Sequence, residues 1–394
     1  MDLLTSKIRE NKTGAEAQKK LAQVSQSVDI SLIGPVYPYR GGIAHHTACL
    51  AQALEKAGHG VQVISFRKQY PAWLYPGTSD HDPSRQPIRT PASFVLDPFS
   101  PATWAKTVGE IAASRSMVVI QWWVPFWGVP FAWLAHRLRQ RGRRVIFMVH
   151  NVLPHEPHLL DTWLAKTALH QGDAFLVHSR GERARLAALL PGVRVIQYVP
   201  HPVYDLFTSG RKPQGLARRQ LNLPENRKVL LFFGMVRPYK GLDLLLDALG
   251  RLQVQGEVPF LLVAGECWGG ATRYRQQIIR LGLQGHVRLD DCYIPNEEVG
   301  LYFSAADCLA APYLSATQSG VIGLAEGFGL PVLASQAAAL SWEDYSGIRI
   351  VPIDNAAALG QAIRQWQAQP IPGTTPVPAA ESWSRLVQAL EELA

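Results

Sequence analysis

The stretch YLSATQSGVIGLAEGFGLPVLAS, residues 313–335, decides the fold. Thr317, Gln318, Ser319 and Gly320 are small or hydrogen-bonding, and they stand directly before an apolar helical pattern that breaks at Gly329 and becomes the strand PVLAS. Cap, helix, glycine stop and strand in that order describe a helix crossing between parallel strands. Thr317 or Ser319 can cap the helix, and the backbone N–H groups of 318–321 then point outwards as a cradle for an anion.

Outward from this stretch the same alternation fills the chain. In the first half the strand candidates are 29–35, 61–66, 117–123, 145–151, 174–179 and 193–200; in the second they are 229–236, 260–266, 287–294, 305–313, 331–335 and 348–354. Amphipathic patterns such as AHHTACLAQALEKAG lie between them, which implies right-handed βαβ units and parallel sheets covered on both faces. The expected architecture is α/β, with two Rossmann-like domains facing each other across a cleft. An N-terminal extension covers 1–28, the first domain 29–205, the second 206–375 and a last helix 376–394. The polar stretch 204–228, free of strand pattern, reads as the join.

The chain has 394 residues, 47% of them hydrophobic and 18% charged, which suits two ordinary cores and excludes disorder. Its charge is uneven. Residues 1–200 carry 23 Lys and Arg against 13 Asp and Glu, whereas 201–394 carry 16 against 18. The first half therefore suits an anionic partner such as a membrane surface, an acidic lipid or a phosphorylated substrate. No zinc-finger, RNA-recognition or basic heptad pattern supports nucleic acid. Cys49, Cys267, Cys292 and Cys308 have no CxxC spacing and read as buried, reduced thiols of a cytoplasmic protein. The N-terminus shows no secretory h-region. The aromatic run 117–144 is interrupted by Pro125, Gly128 and Pro130, so it reads as a strand, a turn and a helix and not as a membrane span. Trp122, Trp123, Phe126 and Trp127 serve either the core or a contact with acceptor or membrane.

In open parallel sheets ligands sit beyond the carboxyl ends of strands, so the residues after each strand are the candidates for a site. Gly41 and Gly42 open a helix after the first strand, where backbone can approach a ligand; His45 and His46 follow one turn in. His150 ends a strand and is placed to hydrogen-bond a substrate hydroxyl. His155, Glu156 and His158 lack zinc-site spacing because Pro154 and Pro157 forbid a helix there, and Asp80-His81-Asp82 sits in what reads as a solvated loop. No metal and no cofactor is expected. In FFGMVRPYKGLDLLLDAL, 232–249, Gly234, Arg237 and Lys240 stand between a strand's end and a helix's start, and the two cations suit a diphosphate.

RGGIAHHTA, the strand ending in His150, FGMVRPYKGLD, YIPNEEV (293–299) and the opening stretch together resemble the family-4 retaining glycosyltransferases of the GT-B fold, over roughly residues 29–390. The resemblance implies metal-independent transfer of a sugar from a nucleotide diphosphate, with retention, to a lipid-linked or saccharide acceptor held mostly by the first domain. By position, Gly41 and Gly42 would approach the donor, His150 its sugar, and Arg237 and Lys240 the departing diphosphate. Tyr293 and Ile294 would face the base, and Thr317, Gln318, Ser319 and Gly320 the phosphates. Two departures are visible. Glutamates that many relatives carry fall on Ala316 and Leu324, and an arginine falls on Met235 with Arg237 two residues later. A nucleotide-sugar epimerase or a catalytically silent binder of the same fold is the alternative.

Overall fold

The computed structural model describes residues 27–71, 77, 79–111, 117–154, 159–193, 195–256, 258–316, 319–340, 342, 345–375 and 378–394. The first sheet comprises β1 (Asp29–Ile33), β2 (Gly60–Phe66), β3 (Ser93–Leu96), β4 (Met117–Trp122), β5 (Arg144–Val149), β6 (Ala174–Val177) and β7 (Ile196–Tyr198). Its order is β3-β2-β1-β4-β5-β6-β7. The second comprises β8 (Val229–Phe233), β9 (Phe260–Ala264), β10 (Val287–Asp290), β11 (Cys308–Ala311), β12 (Val332–Ala334) and β13 (Ile348–Ile350), ordered β10-β9-β8-β11-β12-β13. All pairings within both sheets are parallel. Each chain of strands starts in the middle, runs one way and returns to the other side of its first strand. The carboxyl ends of β1 and β8 are therefore the two switch points, and their loops open into the crevice.

The strands are apolar runs because both faces are covered: every residue of β4 is buried and all but the first of β5. The Leu242–Gln253 helix packs through Leu242, Leu245, Leu246 and Leu249, each at most 1% exposed, and each such side chain contributes about 1.5–3 kcal/mol. Trp122 and Trp127 are fully buried, with Trp127 stacked on Phe131 at 5.3 Å, so these two serve the core, while Trp123 and Phe126 are partly buried against it. Among the described residues no helix is long and apolar enough to cross a membrane.

Several expectations are corrected. β3 was not legible: it is four residues long, follows a Pro-rich approach and pairs at an edge through a bulge opposite Ser65 and Phe66. The stretch 204–228, which joins the two sheets, is itself packed into the structure. Tyr204, Phe207, Ala217, Leu221 and Leu223 are buried, and the buried Arg218 guanidinium donates to Ala305 O (3.0 Å), Glu225 O (2.9 Å) and Asp307 Oδ2 (2.6 Å). Cys292 is exposed because β10 ends at Asp290; the other three cysteines are buried. Asp82, expected in a solvated loop, is buried as well. The final helix, Ala379–Glu391, returns to the first unit. Trp383 Nε1–H donates to Val203 O (3.1 Å) and Glu391 Oε1 pairs with His59 Nε2 (2.9 Å).

Candidate functional site

The loops after β8 and β9 cross so closely that only backbone fits. Gly265 has φ 153°, and a Cβ there would fall 2.1 Å from Gly234 O. Beyond Gly234 the Pro238–Lys240 turn ends in Gly241, and it folds Lys240 back so that its Nζ lies 3.4 Å from where a Gly234 Cβ would stand. Lys240 is 8% exposed. Burial first and the Arg237 charge second bring its pKa down to about 8. Among the described residues Lys240 makes no ion pair, and a desolvated cation without a counter-charge is a receptor for an anionic ligand.

Opposite stands the Gly320–Phe328 helix. Its stop is as the sequence expects: Gly329 has φ 62°, Gly329 N–H donates to Glu326 O (2.9 Å) and Leu330 N–H to Ala325 O (2.8 Å). Its start differs. Ser319 is the N-cap residue but its hydroxyl makes no capping bond; Trp342 Nε1–H holds the Ser319 carbonyl at 2.9 Å and keeps the residue in the interior. Thr317 and Gln318 lie outside the described residues.

Between the two units lies a cavity of about 330 Å³. Of the residues selected from the sequence, Gly41, Gly42, Gly234, Lys240, Tyr293, Ile294, Ser319 and Gly320 line it. Gly41 has φ 108°, which a side-chain-bearing residue rarely adopts, and it delivers the Gly42–Lys56 helix start to the cavity. Leu324 and Met235 also line it, so the departures noted in the sequence make this part of the wall apolar, and Ala316 is buried.

Arg237 and His150 do not line the cavity. Arg237 stands beside it with its guanidinium 3.8 Å from the centroid of the Trp268 ring. His150 is 1% exposed, and its ring Nε2 is hydrogen-bonded to Gln121 Oε1. It belongs to a buried cluster centred on His46, whose ring lies 4.7 Å from His150, 5.2 Å from His178 and 5.8 Å from His201. Trp383 of the last helix closes the cluster at 5.2 Å. Burial holds all four imidazoles below the ordinary histidine range, and the neighbouring rings add to this for His46, His150 and His178. His45, by contrast, lines the cavity. His155, Glu156 and His158 lie outside the described residues, and among those described no group of three or more His, Cys, Asp or Glu is arranged to hold a metal.

Sequence reasoning missed the contacts that join the units across the cavity. Arg40 forms an ion pair with Glu266, and its guanidinium sits 5.2 Å above the Tyr293 ring. Asn296 Nδ2–H donates to Asp82 Oδ2 (3.2 Å) and Asn296 N–H to Ser84 Oγ (2.9 Å). Glu297 accepts from Arg85 N–H (3.0 Å) and Gln86 N–H (3.4 Å). Asp82 is thus buried by the other unit and not solvated. Glu266 and Arg40 each follow a strand and were open to the same rule that found Lys240; that the two pair, 226 residues apart, was not.

Comparison with known proteins agrees with this geometry. The model described as Glycosyltransferase Family 4 matches residues 40–204, and that described as Glycosyl transferases group 1 matches 227–369. D-inositol 3-phosphate glycosyltransferase of Corynebacterium efficiens is 28% identical over 168 residues, 41% of this chain and 38% of that protein. The match to the Streptomyces coelicolor enzyme of that name spans 48% of its length, so the chain spans less than half of these curated relatives. Among solved structures, sucrose-phosphate synthase from Thermosynechococcus elongatus aligns with TM-score 0.66 and 22% identity over 92% of this chain and 94% of that one. Anabaena HepE in complex with UDP and glucose aligns with TM-score 0.66 and 17% identity over 93% and 95%. Two parallel-sheet units with their switch points facing one cavity, each matched by its own family model, establish that the chain belongs to the GT-B-fold glycosyltransferases of the family-4 type.

Proposed function

We propose that the protein transfers a glycosyl group from a nucleoside diphosphate sugar to a hydroxyl acceptor. The observation that carries this reading is Lys240, a buried cation without an ion pair among the described residues, aimed between Gly234 and the Gly320–Phe328 helix start at the edge of the cavity. In the reaction the bond from the anomeric carbon to the diphosphate breaks, the acceptor oxygen bonds that carbon, and the acceptor's proton leaves with the diphosphate. Negative charge grows on the departing group, and Lys240, Arg237 and the helix N–H groups stabilise it. Retention and independence of metal follow from the family resemblance; the role that resemblance gives His150 on the donor sugar is not supported by its burial behind the cavity wall. Incubation with a panel of nucleoside diphosphate sugars and saccharide or lipid acceptors tests the reading: release of nucleoside diphosphate that requires acceptor supports it, and conversion of the sugar without acceptor would make the protein an epimerase.

The acceptor reading is a lipid-linked or saccharide hydroxyl reached from an anionic membrane surface. The first half carries the excess of Lys and Arg, and the Leu159–Leu169 helix presents Leu159, Leu160 and Trp163 to solvent, 93%, 64% and 56% exposed. Exposed apolar side chains on a half of the chain with excess positive charge suit the boundary of an anionic bilayer.

A further inference from the structure

Resting on the nucleotide-sugar reading, we infer that residues 82–86 of the first unit and Asn296 and Glu297 of the second form a latch that opens and recloses in every turnover, with Ser84 and Glu297 as its positioning residues. The two units are tied at two places of opposite character. On one side the tie is apolar and carries the chain itself. Val199, Val203, Tyr204 and Phe207 belong to one buried cluster that also holds Leu50 of the first unit and Ile322 of the second, and Trp383 Nε1–H fixes the Val203 carbonyl. Parting such a surface would expose apolar area to water, so this side stays shut.

On the other side the tie consists of hydrogen bonds. The crossover between β2 and β3 supplies residues 82–86, and they meet the start of the Asn296–Ala305 helix that follows β10. That helix has Pro295 at its N-cap, which gives it no side-chain cap. Ser84 caps it from the other unit: its hydroxyl donates to Asp82 Oδ1, which leaves Oγ to accept Asn296 N–H at 2.9 Å. Glu297 reciprocates by accepting Arg85 N–H and Gln86 N–H, and Asp82 Oδ2 accepts Asn296 Nδ2–H. Water can replace each of these partners when the units part, so little is lost on opening. A joint that is apolar on one side and exchangeable on the other is a hinge facing a latch. The cavity lies between them, lined by Tyr204 and Phe207 of the hinge and by Asn296 of the latch. Its contents are enclosed while the latch is shut, and they pass in and out on the latch side. Ser84 and Glu297 are not among the residues lining the cavity, so they act on the reaction through closure alone.

A reversible lock tests this. The 2.9 Å contact between Ser84 Oγ and Asn296 N brings the two Cα atoms within the span of a disulfide. In the double variant Ser84→Cys with Asn296→Cys, made with Cys292→Ser to remove the exposed thiol, oxidation by diamide should lower turnover with the best nucleoside diphosphate sugar about twentyfold or more. Dithiothreitol should restore it, which makes the same chain its own folding control. The association rate of UDP or GDP should fall and recover in parallel. Glu297→Ala should raise the KM for the donor several-fold more than it changes kcat, with Glu297→Gln intermediate, and should enlarge the radius of gyration of the ligand-free protein in X-ray scattering. The inference is overturned if the cross-linked chain turns over as fast as the reduced one, or if the disulfide does not form in the folded variant. It is equally overturned if Glu297→Ala leaves both KM and radius unchanged, an arm that holds even where the double variant fails to fold. Wild-type protein that neither transfers a sugar nor binds UDP or GDP would instead remove the nucleotide-sugar reading, and this inference with it.

Discussion

The Lys240 ammonium lies 5.5 Å from the centroid of the Tyr313 ring, so the cation delivered by the loop after β8 packs against the loop after β11. Two switch-point elements distant in sequence thereby share one desolvated charge. With its pKa down to about 8 through burial and then Arg237, Lys240 is charged below that pH and increasingly neutral above it. Affinity for a nucleoside diphosphate should therefore fall as pH rises from 7 to 9, and Lys240→Arg should flatten that profile because a guanidinium stays charged. Lys240→Ala should slow turnover about a hundredfold, roughly 3 kcal/mol in the barrier, since the charge it meets grows as the bond breaks. Full turnover in that variant would remove Lys240 from the leaving-group site.

Arg237 is held by stacking, its guanidinium 3.8 Å from the Trp268 ring centroid. A lysine ammonium cannot reproduce either the planar stack or the bidentate fork, so Arg237→Lys should lower kcat/KM about tenfold or more. Trp268→Ala should lower it less, by leaving the arginine in place but unsupported. Steady-state kinetics with the best donor would show the order of the two effects, and a Trp268→Ala loss larger than that of Arg237→Lys would mean that Trp268 itself contacts the donor.

The histidine cluster should make the fold acid-labile. Burial first, then neighbouring imidazoles, bring His178 down to about 3, and burial brings His201 down to about 4; His46 and His150 also lie well below the ordinary value. The folded state thus binds fewer protons than the unfolded one, so the stabilisation is complete above the unfolded pKa near 6.5 and is lost progressively as pH falls below it. Each neutral buried histidine contributes a slope of about 1.4 kcal/mol per pH unit there. Urea midpoints measured from pH 7 to 4 should drop steeply below pH 6, and His46→Leu should make the drop shallower.

Vesicle sedimentation checks the membrane reading. Binding should rise with the fraction of anionic lipid and weaken with salt, at about 1 kcal/mol per well-placed Lys or Arg. Trp163→Ala with Leu159→Ser should reduce it without altering transfer to a short soluble acceptor. Equal recovery on neutral and anionic vesicles would sink the idea.

Much of the site was legible because the rule used to find it is geometric and local. A residue that follows a parallel strand must lie near the crevice, and Gly234, Lys240, Tyr293, Ile294, Ser319 and Gly320 all line the cavity for that reason. The same rule placed His150 correctly at a strand's end but could not foresee its neighbours. His46, His178 and His201 are each unremarkable in sequence, and only packing makes them one buried cluster that keeps His150 off the cavity wall.

What the sequence determined by itself is the periodicity. Apolar runs alternating with amphipathic helices dictate parallel sheets; helix stops such as Gly329 and positive-φ positions such as Gly41 and Gly241 are fixed by which residues the backbone tolerates. Tertiary structure alone decided what crosses between the units. Arg40 meets Glu266, Asp82 meets Asn296 and Trp383 closes on His46, pairs separated by 226, 214 and 337 residues. Such contacts depend on how two independently specified sheets face each other. No local propensity encodes that relation, because its energy comes from surfaces that exist only after both units have formed.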